Sequence, residues 1–170
     1  MTVYNLGTVV VKAKLLDEAV NLMIAAGNLG VLKVLMIPTR TPEEDGPEAY
    51  DTVLMVEGHT PSSSEVKTVG RGHFVKATST PFVTGEYTVP VVKRIPSKYN
   101  ESIGRGVFVD LVALQKIVRA TKVSTDITLE LSSDLITITG VNFKYTLQTA
   151  RNKKEQNAIA ERQINKQYGE

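Results

Sequence analysis

The stretch from Arg105 to Thr149 constrains the fold most, because its hydrophobic period changes from strand to helix and back within one short unit. Residues 106–110 alternate as a strand does, and Asp110 stands where its carboxylate can cap a following helix. The apolar face of that helix comprises Leu114, Ile117, Val118 and Thr121. Three short alternating segments follow at 127–131, 135–140 and 143–147. This order predicts an antiparallel meander with a helix on its apolar face.

The preceding part of the chain follows the same order more loosely. A strand is predicted at 9–13, a helix at 15–26, a buried strand at 31–37 and another strand at 52–57. Two insertions interrupt this order, an acidic and proline-rich loop at 38–50 and a second loop at 58–64.

The region between the two units contains weaker strand signals. Residues 66–78 form one long strand or two halves, with a bulge expected at Gly70 and Gly72. Residues 82–95 lie among three prolines, which predicts an edge strand because proline donates no hydrogen bond to a neighbouring strand. Residues 97–104 have little apolar content and are predicted to be a linker.

Laid on each other, the two units suggest an internal repeat. Residues 9–11 correspond to 107–109, the helix residues around Leu16 correspond to those around Leu114, and residues 51–58 correspond to 134–140. Two unrelated α+β segments can also share such a pattern. We therefore predict an α+β protein with two β-α-β-β-β halves at 1–96 and 105–150, antiparallel sheets and both helices on one face. These halves would form one domain, residues 1–150, followed by a helical tail at 151–170.

Composition narrows the class of protein without naming a site. The chain has 170 residues, no cysteine and a formal net charge of +2. Disulfides and thiolate metal sites are thus excluded, which suits a cytoplasmic protein. We identify neither a signal peptide nor an apolar run long enough to span a bilayer, so no membrane association is expected. With so small a net charge, nucleic-acid binding must depend on a local basic patch.

In its order of elements, the chain resembles one domain of the DNA sliding clamps, most clearly over residues 105–149. In that family the sheets form the outside of a ring and the helices line the DNA channel. The resemblance implies a non-enzymatic processivity factor in replication or transcription, without a cofactor, whose partners are DNA and a polymerase or related protein. Clamps carry two or three such domains per chain, whereas one is predicted here, which departs from the family; a closed ring would then require a homo-oligomer. Asp17 and Glu18 also depart from the family, since a DNA-facing helix should be basic.

A basic stripe on the second helix is the candidate DNA-binding site. It consists of Lys116, Arg119 and Lys122, which can meet phosphates without reading the base sequence. A solvated helix face is the competing interpretation. Arg105, Lys144 and Arg151 would extend the patch if they lay nearby.

A second hypothesis makes the chain a small viral or accessory module that docks on a host protein. Its contacts would be the acidic loop residues Glu43, Glu44 and Asp45, together with Ile159 and Ile164 of the predicted tail helix. That helix is predicted to be largely solvated and to become ordered against a partner.

Catalysis has little support in the sequence, and the chain is predicted not to be an enzyme. The two histidines, His59 and His73, lack the paired spacing of a phosphoesterase. The glycines around Arg71 and Arg105 lack the spacing of a nucleotide-binding loop and predict a bulge and a turn instead. The acidic loop residues lack the rigid support that a metal site needs.

Overall fold

The described residues of the chain form two antiparallel sheets, a separate hairpin and three helices. The computed structural model describes residues 3–38, 50–61, 65–69, 72–76, 81–98, 100–121 and 126–168. The helices are α1 (Ala13–Ile24), α2 (Leu111–Thr121) and α3 (Lys153–Tyr168). The strands are β1 (Asn5–Lys12), β2 (Leu29–Pro38), β3 (Tyr50–Pro61), β4 (Glu65–Val69), β5 (Gly72–Lys76), β6 (Pro81–Pro90), β7 (Lys93–Arg94), β8 (Val107–Asp110), β9 (Asp126–Ser132), β10 (Leu135–Thr139) and β11 (Lys144–Gln148). The predicted α+β class is confirmed.

The two larger sheets contain equivalent strands in the same spatial order. One sheet has the order β6-β3-β2-β8, and the other has the order β11-β10-β9-β1-β7. The meander that follows each helix therefore occupies the same position in its own sheet. Only β7, a strand of two residues, has no counterpart strand in the first sheet.

The first strand of each half pairs with the meander of the other half. Lys12, which precedes α1, pairs with Asp126 at the start of β9, after α2. Asp110, which precedes α2, pairs with Leu29 at the start of β2, after α1. The prediction of two β-α-β-β-β halves does not include this exchange of strands. Neither half can complete its sheet without the other, because each sheet takes a strand from the opposite half.

The exchanged strands β1 and β8 each accept a backbone hydrogen bond at an equivalent residue, on the edge away from the meander. The backbone N–H of Val92, just after β6, donates to the carbonyl of Val10, and the N–H of Ala150, just after β11, donates to that of Phe108. The offset that relates Leu16 to Leu114 also relates Val10 to Phe108. Hydrogen bonding thus follows the same correspondence as the helix residues.

Both helices and both sheets share one hydrophobic core. The inward residues of the strands alternate with polar ones, as the pleat requires. The central buried side chains include Val9, Leu16, Leu32, Leu54, Leu114, Leu129 and Ile138. Gly58 allows α1 to approach β3 closely, because a Cβ there would overlap the carbonyl oxygen of Met23. The common core indicates that the two halves fold as one unit.

Of the two arrangements predicted for residues 66–78, the one with two halves is confirmed. Strands β4 and β5 form an antiparallel hairpin, with Val69 opposite Gly72. Within the predicted linker, the Glu101 carboxylate is buried and accepts hydrogen bonds from the Arg94 guanidinium and the Ser97 backbone. The predicted linker is also bound to β1, because the backbone N–H of Ser102 donates to the carbonyl of Asn5. The turn predicted at Gly104 is confirmed by its φ of +93°.

The edge position of residues 82–95 is confirmed, since β6 and β7 are terminal strands of their sheets. The tail helix docks on the rest of the chain. Helix α3 contacts β5 most extensively and also meets β2, β3 and β8, and its Ile159 and Ala160 are buried. The predicted apolar contacts of Ile159 and Ala160 are thus made within the chain, whereas the other residues of α3 with described side chains keep partial or full exposure, as expected of a largely solvated helix.

Candidate nucleic-acid interface

Helices α1 and α2 lie antiparallel beside each other and present a common exposed face. Each helix buries one apolar stripe, with Leu16 and Val20 in α1 equivalent to Leu114 and Val118 in α2. The opposite side of α2 is centred on Lys116, which is exposed and has no ion-pair partner among the described residues. Its amphipathic sequence thus leaves a lysine at the most outward position of the helix.

Arg119 lies at the seam between the two helices and contacts α1. Its Nη2 donates to Oδ1 of Asn21 at 3.1 Å, and its Nε lies 3.5 Å from Oδ1 of Asp17. The Arg119 side chain nevertheless remains 52% exposed. One cation of the predicted stripe is therefore engaged within the protein, although solvent still reaches it.

The contacts between α1 and α2 form pairs that are related by the equivalence of the two halves. Asp17 is equivalent to Gln115, and Asn21 is equivalent to Arg119. Accordingly, the contact of Arg119 with Asp17 has its counterpart in the hydrogen bond from Gln115 Nε2 to Asn21 Oδ1, at 3.2 Å. The geometry is close to symmetric, but the charges are not.

The charge difference follows from residue types at equivalent positions. Glu18 of α1 is exposed at the position equivalent to Lys116, so the two helices present opposite charges at their outermost points. Lys14, also exposed, adds a positive charge near the start of α1. A polyanion would accordingly be attracted to the α2 side of this face and repelled from Glu18.

The other predicted basic residues do not join this face. Lys122 lies outside the described residues. The guanidinium carbon of Arg105 lies 4.5 Å from the ring centroid of Tyr4, in a cation–π contact. Lys144 follows the alternation of β11 to the face opposite the helices, since its neighbour Tyr145 pairs with buried Ile138. Arg151 instead pairs with Glu155, with its Nη2 3.4 Å from Oε1.

Of the residues assigned to the protein-binding hypothesis, the structure describes the side chain of Ile159 alone. Glu43, Glu44 and Asp45 lie outside the described residues, as does the side chain of Ile164. Ile159 is only 7% exposed, so the rest of the chain covers it and leaves little of it for a partner while α3 is docked. Near it, Arg162 Nη2 donates to Asp110 Oδ2 at 3.0 Å.

Asp110 serves two helices at once. Its Oδ1 accepts from the backbone N–H groups of Val112 at 3.0 Å and Ala113 at 3.3 Å, which confirms the predicted cap. Its Oδ2 holds Arg162 of α3. The start of α2 and the docked tail therefore meet at one carboxylate.

The histidine that can be placed lies on the outer face of the first sheet. His59 Nε2 is 3.3 Å from Glu57 Oε1, and Lys33 Nζ is 2.6 Å from Glu57 Oε2. The side chain of His73 lies outside the described residues. Within the described part of the chain, no group of three or more histidine or acidic side chains is placed to hold a metal ion.

A concavity of about 370 Å³ lies between the start of β3 and residues 90–94. Its lining combines Tyr50, Val53 and Val92 with Asp51 and Lys93. His59 does not line this concavity.

Sequence reasoning missed the roles of Asp17 and Asn21 in holding Arg119. The acidic residue was visible, but its partner stands far away in the sequence, in the other half. The repeat was the available signal, because it makes the two helices equivalent and hence potential neighbours.

Two further observations concern membranes and known proteins. Among the residues that the structure describes, no helix combines the length and apolar character that crossing a bilayer requires. No protein-family model matches this chain, and a search of curated proteins finds no match.

Proposed function

We propose that the chain is a non-enzymatic, clamp-like protein that associates with duplex DNA and acts as a processivity factor in replication or transcription. The observation that carries this proposal is the pair of equivalent halves, with exchanged first strands and an antiparallel helix pair on one face. Its resemblance to a sliding-clamp domain implies that this helix face meets DNA. A polymerase or another replication or transcription protein would be the partner.

Lys116 is the residue on which the DNA contact depends most. It is exposed at the outermost point of α2, and no carboxylate among the described residues neutralises it. Such a lysine attracts phosphate and releases counterions, without preference for base sequence. Arg119 would add a second contact once it leaves the seam.

The proposal is tested by measuring duplex DNA affinity as a function of salt concentration. Binding of the wild-type chain should weaken as salt rises, and Lys116→Glu should weaken it for every DNA sequence and lower the log–log salt slope by about 1. Lys98→Glu is the matched control, because Lys98 is also exposed and lies in the segment between β7 and β8. Affinity that is absent, or insensitive to salt, contradicts the proposal, and equal effects of both variants contradict the assigned face.

A clamp-like role also requires several such domains, and these 170 residues supply one, so we propose that copies of the chain assemble. Strand β11 is a terminal strand of its sheet, is largely exposed and contains no proline. Its free edge can pair with another strand. Light scattering across a concentration series should therefore give a mass of several chains, and a monomer at every concentration with and without DNA contradicts this part of the proposal.

A further inference from the structure

The seam between α1 and α2 holds a cation against an acidic group in an unusually loose contact. Arg119 Nε lies 3.5 Å from Asp17 Oδ1, whereas a charge-assisted hydrogen bond between such groups measures about 2.7–2.9 Å. The stronger tie of Arg119 to α1 is the neutral one, from Nη2 to Asn21 Oδ1 at 3.1 Å. Arg119 is thus attracted to Asp17 without being locked to it.

Asp17 itself has few alternatives to Arg119. Its Oδ1 is closed to solvent and accepts no hydrogen bond from any described residue, and the whole side chain is 26% exposed. A carboxylate oxygen without water or a donor depends on a nearby cation. Moving Arg119 away from the seam would consequently cost free energy at Asp17, even though Arg119 itself is half exposed.

We propose that Asp17 competes with DNA phosphate for Arg119. In the free protein the carboxylate attracts the guanidinium toward α1; on duplex DNA the guanidinium turns outward to a phosphate, and Asp17 loses its cation. This inference rests on the proposed function. It adds that Asp17, on α1, limits the affinity of the basic stripe of α2 for DNA. A protein that must move along DNA gains from such a limit, because weak phosphate contacts permit sliding.

The neighbouring acidic residue provides a matched control. Glu18 stands next to Asp17, carries the same charge and is exposed on the same helix face, but it contacts no cation among the described residues. Asp17→Asn and Glu18→Gln change the net charge equally. A general effect of net charge would therefore raise DNA affinity to the same extent in both variants, whereas competition for Arg119 acts only through Asp17.

The experiment measures affinity for one duplex DNA at fixed salt, with thermal unfolding to verify that each variant folds. Asp17→Asn should bind about fivefold more tightly than wild type, the scale expected for an ion pair exposed to this degree, and Glu18→Gln less than about twofold more tightly. The gain from Asp17→Asn should disappear in the double variant with Arg119→Gln, because only Arg119 transmits it.

Equal gains from Asp17→Asn and Glu18→Gln overturn the inference, and so does a gain that persists without Arg119. In both cases salt-dependent binding by the wild-type chain would leave the proposed function standing. A wild-type chain that does not bind duplex DNA overturns the proposed function and this inference together.

Discussion

Helices α1 and α2 occupy equivalent places in the two halves, yet they differ in almost everything that faces solvent. Three of the four buried residues in each helix correspond in position, Ala13, Leu16 and Val20 of α1 with Leu111, Leu114 and Val118 of α2, and both helices lie over the same core. On the exposed side, however, Lys116 of α2 stands where α1 has Glu18, and Arg119 stands where α1 has Asn21. The packing of the halves is therefore shared, whereas charge distinguishes them, as expected if the core preserves the fold and the surface carries the specific role.

The helix starts differ as well. Asp110 caps α2 through its side chain, but Lys12, at the equivalent position before α1, makes no such hydrogen bond. The backbone of Lys12 is nevertheless extended, with φ −75° and ψ 126°, which is the conformation of a cap residue. Lys12 thus has the backbone geometry of a cap residue, but its side chain supplies no hydrogen-bond acceptor.

The largest expected effect tests whether the two halves share one core. Leu16→Ala and Leu114→Ala remove equivalent, fully buried side chains, and each should lower the free energy of unfolding by about 2–5 kcal/mol. Because the core is common to both halves, urea unfolding followed by circular dichroism should remain a single transition in each variant. Separate transitions for the halves, or a large cost in only one variant, contradict the shared core.

A smaller effect is expected at the helix starts. Asp110→Ala should lower the free energy of unfolding by about 0.5–2 kcal/mol, because two N–H groups at the start of α2 lose their acceptor. Lys12→Ser should raise it, since serine supplies the acceptor that α1 lacks. Both changes are measured by urea unfolding.

Asp110→Asn separates the two roles of Asp110. Asparagine retains a capping oxygen but loses the charge that attracts Arg162, so most of the stability should return while α3 becomes less protected from amide exchange. If Asp110→Asn destabilises the chain as much as Asp110→Ala, the cap does not explain the effect.

The smallest effect concerns the tail, which neither half duplicates. A hydrogen bond from the Arg151 backbone N–H lowers the pKa of Glu155 below its ordinary value, and the side chain of Arg151 adds to this. Since the folded pKa is lowered, the stabilisation is complete above the ordinary glutamate pKa and is lost as the pH falls through the lowered one. Protection of the amides at the start of α3, expressed relative to the intrinsic exchange rate at each pH, should fall over that acidic range, and Glu155→Gln should abolish this loss.

Several features of the site were predictable because they depend on local sequence. The cap at Asp110 and the exposure of Lys116 both follow from the helical period around them. The contact of Arg119 with Asp17 does not, because it joins helices from opposite halves. Glu101 was also missed, since a segment with little apolar content gives no periodic signal that one of its carboxylates is buried.

The sequence by itself determined the type of most elements and the residues that each turns toward the core, because hydrophobic period depends only on neighbours along the chain. The tertiary structure alone decided that β1 joins β9 and that β8 joins β2. Strands pair through backbone groups that every residue except proline possesses, so partner choice depends on how the whole core packs. The same packing brought Asp17 beside Arg119.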